Sequence, residues 1–142
     1  MKSYTDIEQS KRLAEILSIE SADSHYVRNT HDFMGNPVDG KWSHPKYGNP
    51  DSKYASYVVQ NFSNYDTIPC WSLTALFDII PQEIFDGEYI INITEGCDYK
   101  WILTYDHCEH ENHSYYGLSS GADNLVDACV EMILKLHERN LI

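Results

Sequence analysis

Lysine and arginine are scarce in this chain: ten of 142 residues, against twenty-two Asp and Glu, for a formal net charge of −12. Only three of the ten fall after residue 62, and between Ser63 and Met132 the only one is Lys100. Proteins that bind nucleic acid neutralise phosphates with these two residue types, so direct binding to DNA or RNA is not expected. No apolar run reaches the roughly 18 residues that cross a bilayer, so a membrane partner is not expected either. The opening residues Met1-Lys2-Ser3-Tyr4-Thr5-Asp6 turn polar at once and show no apolar signal segment, which makes the cytoplasm the expected location. There is no Cys-x-x-Cys pair, Walker loop or dinucleotide fingerprint. The four cysteines (Cys70, Cys97, Cys108 and Cys129) stand far apart and are expected to be free thiols in a reducing compartment.

What remains is the composition of an ordinary folded chain. With 42% hydrophobic and 23% charged residues, and a length within the usual range of one domain, a single domain over 1–142 is expected. Neither metal nor disulfide is required for stability at this size. Eleven Tyr and three Trp are available for a core or for a contact face. The acidic charge is uneven. Residues 1–62 hold seven Lys and Arg against eight Asp and Glu, a net of −1, whereas residues 63–142 hold three against fourteen, a net of −11.

Hydrophobic periodicity switches between 3.6 and 2 along the chain, and the expected class is α+β. A helix is predicted near 5–17, with Thr5-Asp6-Ile7-Glu8 as a capping box and Ile7, Ser10, Leu13, Ala14 and Leu17 on one face. A second is predicted near 70–80, with Pro69 tolerated in its first turn and Pro81 ending it. A third, near 124–139, is capped by Asp123 and gathers Val126, Cys129, Val130, Ile133 and Leu136 into one arc. In that third helix Glu131 and Lys135 form an i, i+4 pair. Alternation predicts an antiparallel sheet of three or more strands, about 89–94, 99–106 and 114–118, packed against these helices. Tyr99, Trp101 and Tyr105 have the spacing of an inward face, and Trp71 also reads as core. Residues 18–53 are rich in turn formers and are expected to hold short strands, one near 25–33, or an Ω-loop anchored by Trp42 and Tyr47. A further strand is predicted over 54–62.

Three strings carry a family resemblance over most of the chain: Tyr4-Thr5-Asp6-Ile7-Glu8-Gln9-Ser10, Pro69-Cys70-Trp71-Ser72-Leu73-Thr74-Ala75-Leu76, and the last-helix segment from Val126 to Glu138. They resemble a family of small uncharacterised proteins encoded in prophages and mobile elements of gut bacteria. The resemblance implies an intracellular accessory role. It brings no known activity and therefore no site residue.

Two motifs touch on chemistry. Gly117-Leu118-Ser119-Ser120-Gly121 matches G-x-S-x-G, but a nucleophile elbow needs a later acid and His free to reach the Ser. The only later His is His137, about 20 Å along the last helix and on its apolar face, so a packed histidine and a Ser/Gly-rich connection are expected instead. The segment His107-Cys108-Glu109-His110-Glu111-Asn112-His113 is rich in zinc-ligand types, with His107, Cys108, His110 and His113 as the candidate metal residues. It lacks the second ligand pair that structural zinc sites draw from a separate segment. A polar loop joining two strands is the competing expectation, so the expected cofactor is none, with zinc as the alternative. The functional expectation is a non-catalytic interaction protein whose acidic C-terminal half attracts a basic protein. The alternative is a small metal-binding protein or enzyme using residues 107–113.

Overall fold

The computed structural model describes residues 1–48, 65–110 and 113–142. It is α+β with antiparallel sheets, as the periodicity predicts. Its contacts cluster into two compact units, Tyr4–Ala75 and Leu76–Ile142 with Met1–Ser3, each holding its own sheet. The predicted strand over 54–62 lies outside the described residues.

In the unit Tyr4–Ala75, strand β1 (Ser24–Asn29) pairs with β2 (Lys46–Tyr47) on one side and β3 (Tyr65–Cys70) on the other. Strand β1 overlaps the strand predicted near 25–33 but begins one residue earlier and ends at Asn29, and β3 is not foreseen, because Pro69 and Cys70 read as helix. Pro69 stands opposite His25 at the end of an outer strand, a position where a residue without an N–H is tolerated. Helix α1 (Ile7–Ala14) packs on β3. Its capping box sits one residue later than predicted: Asp6 accepts from the Gln9 N–H at 2.9 Å, and the Gln9 side chain accepts from the Asp6 N–H at 3.1 Å. Thr5 is released from capping and is fully buried. Its Oγ1 accepts from the Trp71 N–H at 3.1 Å and shares a hydrogen bond with Ser10 Oγ at 2.8 Å. Its carbonyl accepts from the Tyr26 hydroxyl at 2.6 Å. This polar hub ties α1, β1 and Trp71 together around the fully buried Leu13, Cys70 and Trp71. Burial pushes both the Tyr26 hydroxyl and the Cys70 thiol up to about 12, so both stay neutral. Trp42 lies under the Arg28 guanidinium, which is 4.7 Å from its ring centre, whereas the Tyr47 side chain is almost fully exposed among the described residues.

Helix α2 (Leu73–Ile79) starts three residues later than Pro69-Cys70 suggested. Ser72 opens it: its hydroxyl accepts from the Ala75 N–H at 3.2 Å and in turn donates to the Asp23 carboxylate.

In the unit containing Leu76–Ile142 the strands run in order β4 (Glu83–Ile84), β5 (Tyr89–Thr94), β6 (Trp101–His107) and β7 (Ser114–Ala122), all antiparallel. Strands β5 and β6 match the predicted hairpin. β7 runs four residues further than predicted, since Ser119, Ser120 and Gly121 pair with Thr104, Leu103 and Ile102. A register shift opposite Thr104 and Asp106 lets it accommodate the extra residues. Helix α3 (Leu125–Glu138) packs on β6 and β7. Asn124, not Asp123, caps it, accepting from the Asp127 N–H at 2.9 Å. All five predicted arc residues are buried, together with Ala128 and Met132, against Leu103, Tyr105 and Leu118. Each buried Val, Leu, Ile and Met among them contributes about 1.5–3 kcal/mol of transfer free energy. His137 shares the sector of Val126 and Val130 on the helix wheel, but it stands in the last turn, where residues 137–140 are all exposed. It is not packed as the wheel suggested.

Candidate functional site

The hairpin turn between β5 and β6 places Asp98 and Tyr99 beside the end of β7 and the middle of α3. Gly96 donates its N–H to the Tyr99 carbonyl at 3.1 Å, which closes the turn before β6 begins. Tyr99 therefore stands outside the strand alternation that predicted it as core, and 52% of its surface is exposed. One edge of its ring rests on Gly121: a Cβ at that position would come within 2.6 Å of Tyr99 Cδ2. The ring is thus held upright by a backbone that only a glycine lets approach so closely.

Behind that ring opens a polar cavity of about 420 Å³, walled by Asp98, Tyr99, Ile102, Glu131 and Lys135, with Ser119 of β7 at its edge. The predicted ion pair is present, with Lys135 Nζ 2.8 Å from Glu131 Oε1. The same ammonium donates to the Ser119 carbonyl at 2.5 Å. Ser120 turns the other way and donates to the Ala128 carbonyl at 2.7 Å. The central Ser119 of the G-x-S-x-G string lies inside a strand, paired with Thr104, so it occupies no elbow.

Of the four sequence candidates for metal, His107 ends β6, and Cys108, His110 and His113 lie on the connection from β6 to β7. The ring of His107 lies 4.8 Å from that of His110, tilted by 37°, and His110 lies 5.8 Å from His113, tilted by 56°, so three imidazoles stand in a row. His107 Nδ1 accepts from the Glu109 N–H at 3.1 Å, which leaves the proton on Nε2, 3.6 Å from Glu88 Oε1. A proton on that nitrogen competes with a metal for its lone pair. Cys108 is exposed, and among the described residues no three His, Cys, Asp or Glu side chains converge on a point that would hold an ion.

The row continues in a direction the sequence did not suggest. Tyr89 packs edge-on against both His107 and Tyr115, and Phe85 against Tyr115 at 5.0 Å. Phe85 and Asp86 hold left-handed backbone, with φ of 53° and 55°, in the β4–β5 turn. Such a conformation is costly for a bulky side chain. The Arg139 guanidinium lies 5.6 Å over the Tyr115 ring. None of these pairings is local, which is why alternation alone did not reveal them.

The cations of this unit are largely engaged. It holds four Lys and Arg against thirteen Asp and Glu, a net of −9, while Tyr4–Ala75 holds six against nine, a net of −3. Lys2 pairs with Asp127 at 2.6 Å, Lys135 with Glu131, and Arg139 lies on Tyr115. Glu83, Asp86, Glu88, Glu95, Asp98 and Glu109 are all exposed. No helix among the described residues is long and apolar enough to cross a membrane. Compared with known proteins, the chain matches no family model, no curated protein and no solved structure.

Proposed function

We propose that this is a non-catalytic interaction protein, an accessory factor of a mobile element, whose unit Leu76–Ile142 engages a basic protein. One observation carries the reading: this unit holds thirteen Asp and Glu against four Lys and Arg, and Lys2 and Lys135 are each paired with a carboxylate while Arg139 lies over Tyr115, so the exposed carboxylates dominate the outward field. Such a field raises the association rate of a cationic partner and fades within about 8–10 Å at physiological salt. Asp127 and Glu131 are occupied by lysines, so reversing them would disturb internal pairs. Glu83, Glu95 and Asp98 are the acids to reverse to Lys. The test is capture of basic proteins at about 50 mM and about 200 mM salt. Binding is expected at the lower concentration, weaker at the higher, and lost in the triple reversal with the melting temperature preserved. A protein that captures no basic partner at low salt would reduce the charge to a solubility device.

The row of three imidazoles favours one second reading, metal binding by His107, Cys108, His110 and His113. Calorimetric titration with zinc tests it: a one-to-one transition in the parent protein, abolished by His110→Ala, supports the site, and a flat trace removes it.

A further inference from the structure

We infer that the cavity beside Tyr99 is the anchor point of that interaction and takes a single cationic side chain, Arg or Lys, from the partner protein; the inference rests on the proposed reading of this unit. The walls select the chemistry. Asp98 and Glu131 supply two carboxylates and Lys135 one cation, so the site carries an excess of one negative charge. The ammonium of Lys135 is held between Glu131 Oε1 and the Ser119 carbonyl, whereas Asp98, in the cavity wall, is exposed to solvent. An anionic ligand would meet two carboxylates, and a purely apolar one would strand them.

A cation finds three complements at once. The exposed face of Tyr99 offers a π-surface, and a cation within about 6 Å of such a ring gains from it. Asp98 offers a charge-assisted acceptor. Ile102, in the cavity wall, offers an apolar contact for the methylene stem of Lys or Arg. The volume of about 420 Å³ lies within the range that accommodates a small ligand, and therefore a single side chain. The ring is preorganised by its rest on Gly121, so little ordering is lost on binding. The chain already uses the same chemistry twice internally, with Arg28 over Trp42 and Arg139 over Tyr115.

Calorimetric binding of an Arg-rich and a Lys-rich peptide of equal length, at about 50 mM salt, tests the anchor with four variants. Tyr99→Ala is expected to weaken binding about fivefold to tenfold, and Tyr99→Phe, which keeps the π-face, to stay within about twofold of the parent. Asp98→Asn and Glu138→Gln remove the same charge from the same unit, but only the first lies in the cavity. The inference requires Asp98→Asn to weaken binding more than Glu138→Gln, a comparison that does not depend on how Tyr99→Ala folds. Peptides that bind the parent, with Asp98→Asn equal to Glu138→Gln and Tyr99→Ala unchanged, overturn the anchor and leave the electrostatic reading standing. Peptides that do not bind the parent at all overturn both.

Discussion

The two sheets of this protein were built by opposite routes. Strands β5 and β6 are joined by a short turn and pair Thr94 with Ile102, so the register is set within a few residues. Strands β1 and β3 pair Asn29 with Tyr65 and Ser24 with Cys70, across roughly forty residues of turn-rich chain. The first sheet could be read from alternation because its partner strands are neighbours in sequence. In the second, no local pattern announces which segment β1 will meet. Their interiors differ as well: apolar α3 residues fill the first, whereas hydrogen bonds centred on Thr5 hold the second.

The comparison breaks most visibly at α3. Ile133→Asp places an unpaired carboxylate in a fully buried site, which costs several kcal/mol against a typical total of about 5–15. The unit Leu76–Ile142 is expected to unfold in the variant at room temperature, read by loss of the buried Tyr105 signal in near-ultraviolet circular dichroism. A parent-like melt would mean that α3 is not packed as described.

Two buried hydroxyls sharpen the other half and are expected to differ in sign. Thr5→Val keeps the shape but strands the Trp71 N–H, and denaturant unfolding is expected to show a loss of about 1–3 kcal/mol. Ser24 is also fully buried, yet its Oγ has no hydrogen-bond partner among the described residues. Ser24→Ala removes an unsatisfied group and is expected to leave stability unchanged or raise it by up to about 1 kcal/mol. If both substitutions cost the same, the hub centred on Thr5 is not what distinguishes that interior.

The smallest effect is a pH dependence on the hairpin sheet. Partial burial would raise the Asp106 carboxyl, but hydrogen bonds from Asn92, Ser114 and Thr104 outweigh it and bring the carboxyl below its ordinary 3.8. A depressed folded value contributes stability above the ordinary value and loses it as pH falls through the folded one. Stability of Asp106→Asn is therefore expected to fall less steeply in acid than the parent's, the variant being the less stable of the two at neutral pH and the two curves converging well below about pH 4. A parallel pair of acid curves would remove Asp106 from the sheet's pH response.

The cavity beside Tyr99 was only half legible. Glu131 and Lys135 follow from i, i+4 spacing on a helix, and their pairing was predicted. Tyr99 was assigned to the core because its parity matches Leu103 and Tyr105, and only the closure of the turn through Gly96 lifts it out of the strand. The role of Gly121 was hidden inside a G-x-S-x-G string that suggested different chemistry. The histidines of residues 107–113 were visible as metal-ligand types, but the Glu109 N–H that occupies His107 Nδ1 depends on the fold of the loop.

By itself the sequence determined the α+β class, the β5–β6 hairpin, the apolar arc of α3 and the acidic imbalance, because each is a property of residues within a few positions or of simple counts. Tertiary structure decided that Cys70 and Pro69 end a strand, that Asp6 caps α1 while Thr5 is buried, that His137 faces water, and that Tyr99 stands over an open cavity. Each of these depends on which distant segment competes for the same backbone group or the same face, and a periodicity of 2 or 3.6 carries no information about that competitor.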